Sequence, residues 1–240
     1  MASGKLTIIV VHVNDCTIAA SELESVESLK CRVREHVEMT DIGEPHWLLG
    51  IEIQRNREEC TISLLQHSYI NSIICRFRFE GLKPILTPMD PSSWLFIMQS
   101  PSTGAQYATM AHIPYCEAVG TLMHAMLRTH PDISYAVTII SKYTSNPGIP
   151  HWEAVKRIYH YLGGTIDLRL LFGGEVKELT GYADVDGSME EDCHALSSNA
   201  YLINGGAVSW SMKRQEIVSL STTKSEYISA MHAAKEGLWL

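Results

Sequence analysis

The chain has no excess of positive charge, no closely spaced cysteine pair and no apolar run long enough to span a bilayer. Lys and Arg number 19 against 27 Asp and Glu, a formal net charge of −8. That balance argues against a general electrostatic grip on nucleic acid, while leaving room for a local basic stripe. None of the six cysteines forms a Cys-x-x-Cys, and none stands in zinc-ligand spacing with the eleven histidines. Scattered in this way they read as reduced thiols of a cytosolic or nuclear protein, not a secreted one. A membrane span needs ~20 consecutive apolar residues, and none is present, so no membrane partner is expected. Lys5, the run Leu6 to Val13 and Ala19-Ala20-Ser21 imitate a signal peptide, but Asn14-Asp15 interrupts the run. No strand–turn–helix nucleophile elbow occurs. Gly163-Gly164 and Gly205-Gly206 lack a phosphate-loop pattern, so no small-molecule cofactor is expected.

What is present is 45% hydrophobic residues in 240, enough for two modest domains or one large one. The β-branched run over 5–13 and its return over 16–20 predict a hairpin turning at Asn14-Asp15. Ser21 and Glu24 have capping-box spacing before a helix whose stripe is Leu23, Val26, Leu29, Val33 and Val37, ended by Gly43 and Pro45. Residues 47–54 and 61–65 predict a second hairpin, followed by a helix bearing Ile70, Ile73, Ile74 and Phe77. Five prolines between Gly81 and Pro114 break any period and predict a long loop. Three helices then follow over 115–128, 132–144 and 151–162, with short Pro/Gly connectors that suit a bundle. Strands are expected over 170–172, 179–185, 200–203, 207–212 and 217–220, and a helix over 223–240.

Two acidic positions stand out. Asp184 lies in a strand-like segment and Glu226 at the start of the last helix; Asp186 shares the face of Asp184 because strand side chains repeat every second residue. Phosphodiester cleavage uses carboxylates that hold Mg²⁺ ions ~3.5–4 Å apart. The same residues also admit plainer readings, Glu226 as the far end of a Thr223-x-x-Glu226 capping box and the aspartates as a solvated strand end. Asn14-Asp15 is either an acidic hairpin tip or simply a favoured turn pair. Lys156 and Arg157, with Arg169, Lys213 and Arg214, either follow a nucleic-acid backbone or form a solvated helix face.

An ordered series of short segments carries a resemblance. Thr87-Pro88-Met89-Asp90, Pro131-Asp132-Ile133-Ser134-Tyr135-Ala136-Val137 and His151-Trp152-Glu153-Ala154-Val155-Lys156-Arg157 are its first members. Gly181-Tyr182-Ala183-Asp184-Val185-Asp186, Val208-Ser209-Trp210-Ser211, Ser221-Thr222-Thr223 with Ser225-Glu226-Tyr227, and Ala234-Lys235-Glu236 extend it. The chain resembles the pol polyprotein of copia-type long-terminal-repeat retrotransposons over nearly its whole length.

The resemblance implies an α+β chain with partial reverse-transcriptase palm hairpins over 1–80, a linker or loop over 81–114, a helical thumb/connection over 115–165 and a truncated ribonuclease H-like mixed α/β domain over 166–240. It implies RNA-directed DNA synthesis and RNA–DNA hybrid cleavage, Mg²⁺ as cofactor, and hybrid or template-primer as partner. Asp184 and Glu226, with Asp186 beside them, inherit metal-ligand roles; Asp15 is the residue of the polymerase motif; Lys156 and Arg157 would follow the duplex.

Departures from the family pattern oppose activity. The polymerase motif reads His12-Val13-Asn14-Asp15, with Asn14 in place of the first aspartate. Gly187 replaces a tryptophan, Lys224 an acidic residue, and Asp192 to Asn199 a characteristic polar run; the remaining acidic ligands are expected beyond Leu240. Little catalysis and weak or absent Mg²⁺ binding are therefore expected. A non-catalytic nucleic-acid-binding or assembly module is the alternative.

Overall fold

The computed structural model describes residues 6–81, 83–173, 178–186 and 194–240. Two compact units divide at His46 and Trp47.

In the first unit, the β-branched residues form β1 (Thr7–His12) and β2 (Asp15–Ala20), paired antiparallel from Thr7↔Ala20 to His12↔Asp15. The turn is Val13-Asn14, one residue earlier than expected, so Asp15 is the first residue of a strand and not part of the loop. Val13 takes φ 55°, a left-handed conformation that a β-branched side chain rarely adopts. Helix α1 (Leu23–Arg34) begins after Glu22, with no side-chain cap bond; the capping box expected from Ser21 is not made. Arg32 and Arg34 in its last turn suit the negative helix end. The helix stops well before Gly43, where Asp41 draws the chain back with bonds to Lys30 Nζ at 3.0 Å, Arg34 Nη2 at 3.1 Å and the Gly43 amide at 3.0 Å.

The second unit is built on two antiparallel sheets and a helical bundle. Strands β3 (Trp47–Leu48), β4 (Ile51–Asn56) and β5 (Thr61–Leu65) form a meander. Its fourth strand comes from far along the chain, as β6 (Leu170–Gly173) pairs antiparallel with β5 from Leu64↔Leu170 to Thr61↔Gly173. The helices α2 (His67–Arg76), α4 (Tyr115–Arg128), α5 (Ser134–Ser141) and α6 (Ile149–Gly164) enclose one apolar core. Ile70, Tyr115, Leu122, Ile140, Ile158 and Leu162 are at its centre, each the inward residue of a period near 3.6. Pro131 starts a short 3-10 turn ahead of α5, where a missing amide proton costs nothing.

The stretch between Gly81 and Pro114 is more ordered than its prolines suggest. It contains α3 (Gly104–Met110), opened by a capping box in which Thr103 Oγ1 accepts the Gln106 amide and Gln106 Oε1 accepts the Thr103 amide. It is also strapped to the bundle through Tyr143 Oη to Leu95 O (2.7 Å), His151 Nε2 to Phe96 O (3.1 Å) and His160 Nδ1 to Lys83 O (3.0 Å).

The last sheet has the order β7 (Thr180–Asp186), β8 (Leu196–Ile203), β9 (Gly206–Arg214). Asn204 at φ 48° and Gly205 at φ 80° make the tight β8–β9 turn, the left-handed pair that matches the twist of a two-residue hairpin. The strand expected over 217–220 is absent; the chain there is irregular and leads into α7 (Thr222–Trp239). Helix α7 lies on one face of this sheet, where Tyr201 Oη donates to Ala233 O and Ser209 Oγ to Glu236 Oε1. On the other face Leu196 packs with Ile139 of α5 and with Tyr143 just after it, and Trp210 Nε1 donates to Met126 O of α4 at 2.9 Å.

Candidate functional site

Helix α7 is positioned by a buried amide. Gln215, 1% exposed, donates through Nε2 to Ser197 Oγ of β8 and to Ser225 O of α7, both at 2.9 Å, while its Oε1 accepts Ser219 Oγ at 3.2 Å. Burying that amide is tolerable only because each polar atom is matched. Ser221 is the N-cap, its Oγ accepting the Lys224 amide at 3.3 Å. The helix start is therefore capped without Glu226, and the Thr223-x-x-Glu226 capping box is not formed. Glu226 is exposed on the helix beside the sheet-facing Ser225 and Ser229.

Strand β7 crosses this helix, and Ser229 Oγ donates to the main-chain oxygen of Asp184 at 2.6 Å. The Asp184 carboxylate accepts the Val185 amide at 2.8 Å and is exposed. Asp186 pairs in register with Leu196, whose side chain is on the α5 face of the sheet. Its charge adds to burial in raising the Tyr135 hydroxyl above the ordinary tyrosine value. Alternation along β7 starts Asp184 on that same face, whereas Gly181, against the Tyr201 ring, marks the face that α7 covers. The strand of Asp184 and the helix of Glu226 are thus in contact, with the carboxylates leaving from different sides of β7. Among the described residues no three His, Cys, Asp or Glu side chains are grouped to hold a metal. The donor set present does not fit a complete Mg²⁺ cage, which needs several oxygens in near-octahedral array. Gly187 and the start of the Asp192–Asn199 run lie outside the described residues. Asn14 and Asp15 sit in the other unit, at the Val13-Asn14 turn and the first position of β2.

The basic pair has other employment. Arg157 Nη2 donates to Thr87 Oγ1 at 2.9 Å, and Nη1 stands 3.8 Å from Asp90 Oδ2. Asp90 is itself fastened to the Ser92 hydroxyl (2.6 Å) and amide (2.9 Å), and these bonds, with the Arg157 charge, hold its carboxyl below the usual range. Arg157 thus clamps the Thr87-Pro88-Met89-Asp90 segment onto α6. Lys156 Nζ lies 2.5 Å from Glu153 Oε1.

Two polar groups escaped the sequence reading. His151, fully buried, accepts the Gly148 amide on Nδ1 at 2.8 Å, which puts its proton on Nε2, toward Phe96 O; its ring stacks 3.8 Å from that of Tyr143. A histidine three residues after the capping Gly148 was the available signal. Asp132 receives Tyr161 Oη at 2.7 Å, with His130 Nδ1 3.5 Å away. Burial works to raise Asp132, but the nearby His130 ring and the bond from Tyr161 outweigh it and hold the carboxyl below its ordinary value, while burial and Asp132 push Tyr161 up to about 12.

This arrangement, two antiparallel sheets joined by a helical bundle and preceded in sequence by a hairpin whose second strand opens with Asp15, is a mixed α/β architecture consistent with a reverse-transcriptase-like protein. The family described as Reverse transcriptase (RNA-dependent DNA polymerase) matches residues 1–91. The Retrovirus-related Pol polyprotein from transposon TNT 1-94 of Nicotiana tabacum is 40% identical over 241 residues, covering 100% of this chain and 18% of that protein. That from transposon RE1 of Arabidopsis thaliana is 31% identical over 238 residues, 98% of this chain and 16% of its own length. The chain belongs to the family of retrovirus-related Pol polyproteins of copia-type transposons, and spans less than a fifth of the length of these two relatives. The Secreted RxLR effector protein 161 of Plasmopara viticola is also similar, 40% identical over 134 residues, 55% of this chain and 94% of that one. No solved structure matches. No helix among the described residues is long and apolar enough to cross a membrane.

Proposed function

We propose that the chain is a reverse transcriptase/ribonuclease H segment of a transposon Pol polyprotein, working or decaying in the cytoplasm or nucleus, that neither copies RNA nor cuts an RNA–DNA hybrid efficiently by itself. In this reading 7–20 is the palm hairpin, 115–165 the thumb and connection, and 180–240 a ribonuclease H-like layer of three strands and a helix. The observation that carries it is the pairing of β7 with α7, which brings Asp184 and Glu226 onto touching elements in the order the family uses. The same elements support inactivity, since Asp184 and Asp186 leave β7 on the face away from Glu226. With Asn14 at the hairpin tip, the polymerase motif keeps only Asp15, and an amide cannot supply the charge that a carboxylate gives a metal.

The test is a labelled RNA–DNA hybrid incubated with the purified chain and Mg²⁺. No cleavage above the level of an Asp184→Asn variant is expected; robust cleavage abolished by that substitution would overturn inactivity. The binding-module alternative draws less support, because Arg157 and Lys156 are both engaged within the chain. It predicts hybrid binding that weakens steeply with salt.

A further inference from the structure

Residues 94–99 cross the bundle as a short strap that is tied down from below and apolar above. Its carbonyls at Leu95 and Phe96 accept from Tyr143 and His151, and Leu95 packs into the core. Gln99 closes the loop, its side chain accepting the Phe96 amide at 3.0 Å and donating to Trp94 O at 3.2 Å. A Cβ on Gly148 would come 2.0 Å from Gln99 O, so the strap sits directly on the start of α6. These ties fix the backbone, yet Trp94, Ile97 and Met98 remain 58%, 66% and 90% exposed. Three large apolar side chains held outward on a fixed backbone lose little freedom on docking, and tryptophan dominates protein contacts more often than most residues.

Beside the strap lies a cavity of about 450 Å³. Its wall includes Met89 and Ser93, the residue before Trp94, and its floor is Ala136, Ile140, Ala154 and Ile158. That volume falls within the range of ~300–1,000 Å³ usual for binding pockets and is ample for an aromatic side chain. Its rim carries both signs, Asp90 and Glu153 with Arg157, and Lys156 pairs with Glu153 next to it.

We propose that this surface is the interface of a symmetric homodimer, in which the Trp94–Met98 knob of each copy fills the cavity of the other. A knob and a hole on adjoining parts of one surface satisfy the requirement of a two-fold interface, where the same patch serves both partners. The rim fits a second copy too, because its charges are already matched within each chain, Arg157 with Asp90 and Lys156 with Glu153, so two copies of it meet without net like charge. A uniformly charged partner would meet like charges on half of that rim.

The test is sedimentation equilibrium of the full chain from micromolar concentrations upward. A reversible dimer is expected, weakened roughly 30-fold or more by the exposed pair Trp94→Ala with Met98→Ala, the loss typical of a removed hot spot. Ala154→Phe, which fills the hole and leaves the knob, should weaken it as well. Mixing the two variants should recover partial association, since the knob of one still meets the hole of the other. Two copies of net charge −8 repel, so added salt should strengthen the dimer, the opposite of its effect on nucleic-acid binding. Unchanged melting of the first variant confirms folding. A monomer at every concentration, or a dimer indifferent to both substitutions, would overturn the proposal, including the case where some other protein covers the strap.

Discussion

His151 joins three parts of the bundle through one ring. Its Nδ1 caps α6 at Gly148, its Nε2–H holds the strap at Phe96, and its face stacks on Tyr143. Burial, opposed by the bond to Phe96, lowers its pKa below the ordinary 6.5. A histidine depressed in the folded state contributes stability that is complete above the unfolded value and is lost as pH falls through the folded one. Denaturant midpoints measured from pH 7.5 downward should therefore decline below about pH 6.5, and His151→Ala should remove that part of the decline at a cost of about 2–3 kcal/mol near neutrality. Equal pH slopes for the two proteins would refute the assignment.

Asn14 was readable from sequence, since losing a carboxylate is visible in the letters. The job of Arg157 was not, because Thr87 and Asp90 are some seventy residues away in the chain and only the fold brings them under its guanidinium.

Among the elements, α6 and α4 offer matched glycines. A Cβ at Gly148 would collide with the Gln99 carbonyl, whereas Gly120, on the exposed side of α4, has nothing within 4 Å. Gly148→Ala should destabilise by ~1–3 kcal/mol through overpacking. Gly120→Ala should stabilise by ~0.5–1 kcal/mol through the lower entropy of the unfolded chain. Thermal melts of the two variants on opposite sides of the parent would bear this out.

The bundle helices were legible because their apolar stripes are long and regular. Helix α3 was hidden by brevity, with seven residues and only Met110 buried; its Thr103-x-x-Gln106 cap lay unread among prolines. Ile217, Val218 and Leu220 look like a strand, but pairing with β8 ends at Leu196↔Arg214, and these side chains stay exposed in an irregular turn. β propensity without a neighbouring strand does not make a strand.

At the scale of the molecule the two units differ in how they are held. No residue from 6 to 46 is buried, while α2, α4, α5 and α6 share a continuous core. Hydrogen exchange should find the amides of β1, β2 and α1 opening far more readily than those of 115–164, because opening free energy follows buried apolar contact. Comparable protection across both units would contradict that ordering.

Family motifs suggested that one module closes near residue 165 and another begins. Strand β6 disregards this border. Leu170 to Gly173 follow the supposed junction in sequence, yet they complete the sheet of β5 and shield its far margin. Anyone dividing the gene at the apparent seam would leave Ile62 and Leu64 beside a bare strand margin, ready to recruit a stranger's backbone. A shorter product ending there should come out of the cell insoluble, and extending it past Gly173 should be the cheaper remedy than any change of solvent.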